Sequence, residues 1–359
     1  MSVDDARQVI EQGIAAGIFP AAAVEVGDSG SSTWFEAFGD ASLQTPFDLA
    51  SLTKVIATTT VVMELVREGA LRLEEPLSAF FAEWRGADRD SVTVRDLLEH
   101  ASGLPARLVD APPGGRREFE HDICSTPLEY APRTQSIYSD LGFILIGFLA
   151  ADRGGAPLDA LFDRIKVRLK PDTTERMDGE SGRVRFQPDR LTFTLPAEVR
   201  RLVAPTRPMD EDSRRGRDLI GDVHDNYAAA LGGVAGHAGL FSTAPAAGAF
   251  ARTVLRAARG ERGLPPPFSP ELVSRFTTKT TVPGSSRALG WDTMLPTSSC
   301  GTRMSPRAFG HVGFTGTSLW IDPARGRYFV LLTNRVRNGG TMDQMRTVRR
   351  AFHDALAGV

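Results

Sequence analysis

Apolar and polar positions along this chain switch between helical and strand periods, and the switches mark its elements. From Ser2 to Ala16 the spacing is helical, with Ser2 and Asp5 forming an S-x-x-D capping box and Gly17 as the stop. Ala21–Val26 and Thr33–Phe38 read as two short strands joined by the turn Asp28-Ser29-Gly30. Phe47–Ala50 leads into Ser51, after which Leu52–Glu68 predicts one helix. There Val55, Val62, Leu65 and Val66 share a broad face and Gly69 follows as the stop.

The middle of the chain predicts helices and loops. Thr93 and Asp96 cap a short helix ending near His100, and Leu141–Ala150 is an apolar helix directly after Tyr138-Ser139-Asp140. Ala111–Arg117 is a loop by composition, and Gly260–Pro270 is a second linker-like stretch. Lys170–Arg185 is charged and nearly devoid of apolar residues, so it reads as an exposed excursion. Strand patterns return at Thr317–Ile321 and Tyr328–Thr333, a hairpin over the turn Asp322–Gly326, and Met342–Leu356 closes the chain as a helix. The economical architecture is one α/β lobe built from both termini with a helical lobe inserted between.

Composition narrows the function classes. With 42% hydrophobic and 24% charged residues, the 359-residue chain is an ordinary globular protein. A formal charge of −2 argues against a nucleic-acid partner or an anionic membrane surface. No run of eighteen apolar residues predicts a membrane span. The acidic start Met1-Ser2-Val3-Asp4-Asp5 is unlike a signal peptide, so the expected location is the cytoplasm, or the periplasm if a leader has been removed. Cys124 and Cys300 are expected to be reduced and carry no chemistry. No G-x-x-x-x-G-K-[ST] is present, and no cofactor is expected.

Ser51-Leu52-Thr53-Lys54 sits where a strand-like segment becomes a helix. At that spacing the lysine amine reaches the serine hydroxyl, and first-turn backbone N–H groups point at the nucleophile. Alone, the pattern equally describes an N-cap serine beside a solvated lysine. Tyr138 is a candidate proton carrier between nucleophile and leaving group. The glycine-rich stretch Gly310–Ser318 would let a ligand approach an edge strand closely. A competing class rests on Asp222, His224, Asp225 and His237, an acid–imidazole mixture suited to a divalent-metal hydrolase, although no H-x-x-x-H pair supports it.

Taken in order, Ser-x-x-Lys at Ser51, Tyr-x-Asp at Tyr138 and His-Val-Gly at His311 resemble the serine β-lactamase and DD-peptidase superfamily, whose motifs are Ser-x-x-Lys, Tyr-x-Asn and Lys-Thr-Gly. Thr93–Pro105 (TVRDLLEHASGLP), Tyr138–Gly147 (YSDLGFILIG) and Gly232–Thr243 (GGVAGHAGLFST) look like the class C β-lactamase-like branch, with its carboxypeptidase and esterase relatives. The resemblance implies a single α+β domain: an antiparallel sheet flanked by helices, from about 1–75 and 285–359, with a helical lobe at about 76–284. It implies Ser51 as acylated nucleophile, Lys54 as base and Tyr138 as proton shuttle. Backbone N–H groups of Ser51 and Phe314 would form the oxyanion hole, with Asp140, His311 and Gly313 binding substrate. No metal is implied, and the partner is a small-molecule or peptide substrate.

Two departures shift the expected chemistry. Asp140 in place of asparagine puts a carboxylate by Lys54 and favours its ammonium form, which moves the base role toward Tyr138. His311 in place of lysine removes a fixed cation, which weakens the anchor for the carboxylate that penicillins and D-Ala-D-Ala peptides both carry. Arg335 and Arg337, beyond the last strand, are the candidate replacements. Carboxylesterase or DD-peptidase activity therefore ranks above efficient β-lactam hydrolysis, with a non-catalytic penicillin-binding sensor as a further alternative.

Overall fold

The computed structural model describes residues 2–109, 111–169 and 191–357; the Lys170–Arg185 excursion lies outside them. Both chain ends build one antiparallel sheet, and its strand order explains how they meet. Strands β1 (Ala21–Asp28) and β2 (Ser32–Gly39) form a hairpin. A minor sheet joins β3 (Phe47–Asp48), β4 (Leu191–Thr192) and β5 (Phe241–Ser242). The C-terminal part supplies β6 (Asp292–Thr293), β7 (Phe309–Val312), β8 (Ser318–Asp322) and β9 (Arg327–Thr333), giving the main order β2-β1-β9-β8-β7-β6. The first hairpin thus docks on the last one, with Val24 opposite Leu331.

Helices cover both faces. Val3–Ala15 starts at the expected capping box, with Ser2 N–H on Asp5 at 2.7 Å and Asp5 N–H on the Ser2 hydroxyl at 3.2 Å. This helix packs on the closing helix Met342–Leu356, while Ala244–Ala258 lies against β1 and β9. Helices on both faces explain why β1 is buried along nearly its whole length rather than at alternate positions.

Two local expectations change. The helix after Ser51 opens with a π-helical turn, Lys54–Thr58, before Thr59–Arg67 continues as α-helix. The wide turn is held from outside, by Lys54 bonding to the carbonyl of His237 and Thr58 to that of Gly236. The loop read at Ala111–Arg117 ends early, because Gly115 begins a helix spanning Arg116–Ser125. Among the described residues no single helix is long and apolar enough to cross a membrane. Cys124 and Cys300 are buried and free.

Candidate active site

Ser51 is presented by a strained turn. Ala50 adopts φ +46°, a left-handed conformation that side chains other than glycine adopt reluctantly. Asp48 holds it there, accepting from Ala50 N–H at 2.8 Å and from His224 N–H at 2.6 Å. Burial pushes the Asp48 carboxyl up to about 6, against the pull of those two bonds.

The β7–β8 connection is clamped onto this turn. Thr315 donates to the carbonyl of Asp48 at 2.7 Å and Thr317 to that of Leu49 at 3.0 Å. The approach is so close that a Cβ on Gly313 would lie 2.4 Å from the Leu49 carbonyl oxygen. From behind, the buried Arg349 guanidinium donates to the Gly313 carbonyl at 2.6 Å, and Arg335 donates to that of Phe314 at 3.1 Å. Among the described residues neither Ser51 N–H nor Phe314 N–H donates a hydrogen bond, so both expected oxyanion donors are uncommitted.

Lys54 is fully buried and reaches three acceptors: Ser51 Oγ at 3.1 Å, Asp140 Oδ1 at 2.8 Å and His237 O at 3.1 Å. An ammonium has three protons, and each has a partner here. Burial alone would depress its pKa, but the Asp140 carboxylate and Tyr138 outweigh burial and raise it. Asp140, expected among the substrate contacts, turns both oxygens to cations, since Oδ2 accepts from Arg107 at 2.9 Å. Arg107 also bridges to Asp225 at 2.9 Å and Asn226 at 2.6 Å, and Asp225 bonds His237 Nε2 at 2.7 Å. Arg107 escaped the sequence reading because nothing in its loop marks it; its role comes from residues 33 and 118 positions away.

Tyr138 stands over the same lysine, its ring centroid 4.8 Å from Nζ. Its hydroxyl is buried and makes no hydrogen bond of ordinary geometry. Burial raises its pKa, opposed by the Lys54 charge. Around the ring lie His100 at 4.7 Å and His311 at 5.8 Å between centroids. His311 Nδ1 bonds the Val312 carbonyl at 2.8 Å, which puts the proton on that nitrogen and leaves Nε2 as a buried acceptor without a partner. Burial, then the charges of Arg287 and Lys54, hold His311 well below the ordinary histidine range, so it is neutral. β6 pairs only with Phe309 and Gly310, so His311 and Val312 form the open end of their strand, next to the site.

Three sequence expectations are corrected. Arg335 is committed to the Phe314 carbonyl and Arg337 to Asp218 at 2.9 Å, so neither is a free anion anchor. Among the described residues the acid–imidazole cluster that assembles is Asp140, Asp225 and His237, within 4.8 Å, and it excludes His224, which stacks on Phe314 at 5.5 Å, and Asp222, which pairs with Arg200 and Arg217. Lys54 and Arg107 already neutralise its carboxylates, so a metal ion would have to displace both cations.

A serine hydroxyl on a buried lysine, beside a tyrosine and two uncommitted N–H groups, is the equipment of a serine hydrolase. Residues 6–353 match the family model described as Beta-lactamase, and the chain belongs to that family. It is 32% identical to the "Putative D-alanyl-D-alanine carboxypeptidase" of Escherichia coli (strain K12), over 82% of this chain and 70% of that one. It is 30% identical to the N-acetylmuramyl-L-alanine amidase of Bacillus subtilis (strain 168), over 91% of this chain and 80% of that one. A class C β-lactamase from Rhodobacter sphaeroides shares the fold at a TM-score of 0.74 and 18% identity, over 99% of both chains.

Proposed function

We propose that Ser51 is the nucleophile of an acyl-enzyme hydrolase whose substrates are D-amino-acid peptides or related esters rather than β-lactams. The observation that carries this reading is the Lys54 amine held 3.1 Å from Ser51 Oγ by Asp140. Ser51 Oγ attacks the substrate carbonyl, and the oxyanion rests on the N–H groups of Ser51 and Phe314. Lys54 holds its full set of protons at rest and burial keeps Tyr138 a phenol, so the base is the phenolate left when Tyr138 first releases its own proton to solvent, a form the ammonium stabilises. That phenolate takes the Ser51 proton and gives it to the leaving group. Water then attacks the acyl-enzyme, giving up its proton by the same route, and releases the acid. The names of the carboxypeptidase and amidase relatives support the peptide class.

The test is intact-mass analysis after exposure to a fluorophosphonate, a short-chain nitrophenyl ester, a penicillin and a D-Ala-D-Ala peptide. Ser51→Ala should lose both the fluorophosphonate adduct and ester hydrolysis. An adduct that persists in this variant overturns the assignment. A penicillin or peptide adduct that never turns over marks a sensor instead.

A further inference from the structure

The catalytic cleft and its walls hold five cationic side chains near Ser51, and four of them are committed. Lys54 pairs with Asp140, Arg107 with Asp140 and Asp225, Arg335 with the Phe314 carbonyl and Arg349 with those of Gly313 and Thr317. Arg287 is the exception. Its guanidinium carbon lies 5.1 Å from the Tyr138 ring centroid, and among the described residues it has no carboxylate partner and no side-chain hydrogen bond. It is half-buried, so it has lost water without gaining an anion.

Its backbone fixes that position. Arg287 bridges to Asp292, which pairs with Gly310, the residue before His311. Among the described residues no salt bridge joins it to Asp292, whose Oδ1 accepts from Thr293 N–H at 3.1 Å. The guanidinium is a planar fork of five donors that fits a carboxylate in two places at once. A cation–π contact leaves those donors unspent. The neutral His311 cannot hold an anion at the third-motif position, and the free cation stands one strand away.

We propose that Arg287 is the substrate's carboxylate anchor, making this a hydrolase selective for acyl substrates that carry a free acid. The proposal rests on the reading of Ser51 as nucleophile and adds a specificity residue to it. The test is competition against hydrolysis of p-nitrophenyl acetate by N-acetyl-D-alanyl-D-alanine and by its C-terminal amide. Each variant is compared by its ratio of amide to acid inhibition constants. The native protein should prefer the acid by about tenfold or more, the scale of a charge-assisted hydrogen bond. Arg287→Gln should bring the ratio close to one, and Arg287→Lys should restore part of it. A native ratio near one, or an acid preference unchanged in Arg287→Gln, overturns the anchor. Equal weakening of acid and amide, with the ratio kept, overturns it too and makes Arg287 a support for Tyr138. Should Arg287→Gln fail to fold, the native ratio and its fall with added salt still decide, because an ionic anchor is screened. Loss of ester hydrolysis in Ser51→Ala reports separately on the nucleophile.

Discussion

The two flanks of Lys54 are built on opposite principles. On one, Asp140, Arg107, Asp225, Asn226 and His237 form a chain in which every charge meets its opposite, with only His237 Nδ1 left over. On the other, His100 Nε2, the Tyr138 hydroxyl and His311 Nε2 are all buried without partners, and Arg287 has no counter-ion among the described residues. An unmet buried polar group costs about 1–3 kcal/mol. The saturated flank fixes the lysine, while the other flank keeps polar groups that no protein atom meets at ordinary hydrogen-bond geometry. Stability and chemistry are thereby separated across one side chain.

Tyr138→Phe tests that division most sharply. It should cut the acylation rate by about 10²-fold or more, the usual scale for a positioned proton-transfer group. Its unfolding free energy should stay nearly level, since the hydroxyl removed makes no hydrogen bond of ordinary geometry. A variant that is both slow and unstable would put Tyr138 in the scaffold. Lys54→Ala touches both flanks and should lose rate and stability together.

Acid should strike next hardest. Burial holds His100 and His311 well below the ordinary range, His224 at about 4 and His353 at about 3. Their unfolded values lie near 6.5, so the unfolded chain takes these protons first. Stability is complete above about pH 6.5 and falls below it by up to about 1.4 kcal/mol per pH unit for each imidazole. Asp48 works in reverse: raised to about 6, it is protonated first in the folded state and offsets one of them below that pH. Urea titrations from pH 7 to pH 5 would show the net slope, and a flat profile would mean that these imidazoles meet water.

Arg107→Met should destabilise by about 2–3 kcal/mol, below the range for a fully buried pair because the side chain stays one-third exposed. Thermal unfolding would report it. Smallest is Asp140→Asn, which restores the superfamily's residue. Removing that carboxylate lowers the pKa of both Lys54 and Tyr138. The rise of kcat/KM with pH should move to lower pH, by about one unit, while an unmoved limb would detach Asp140 from the titration.

Much of this was legible locally. The Ser2 capping box, both hairpins and the closing helix are written in neighbouring residues, and the structure follows them. The wide turn at Lys54–Thr58 was not, because apolar periodicity runs through it unchanged and the bonds that open it come from 183 and 178 residues downstream. Arg107 and Arg287 were invisible for the same reason. Neither belongs to a motif, and each acquires meaning only where the fold carries it. Ser51, Tyr138 and His311 were visible because their local spacing and order are themselves the signal.

The pairing of β1 with β9 and the bonds from Thr315 and Thr317 to the Ser51 turn carry a consequence for biosynthesis. A ribosome delivers the nucleophile early and its clamp last. At about 5–20 residues per second, the serine waits on the order of tens of seconds for Thr333. Until then the sheet has no centre and the proposed oxyanion loop does not exist, so a nascent chain carries the proposed nucleophile in an inactive form.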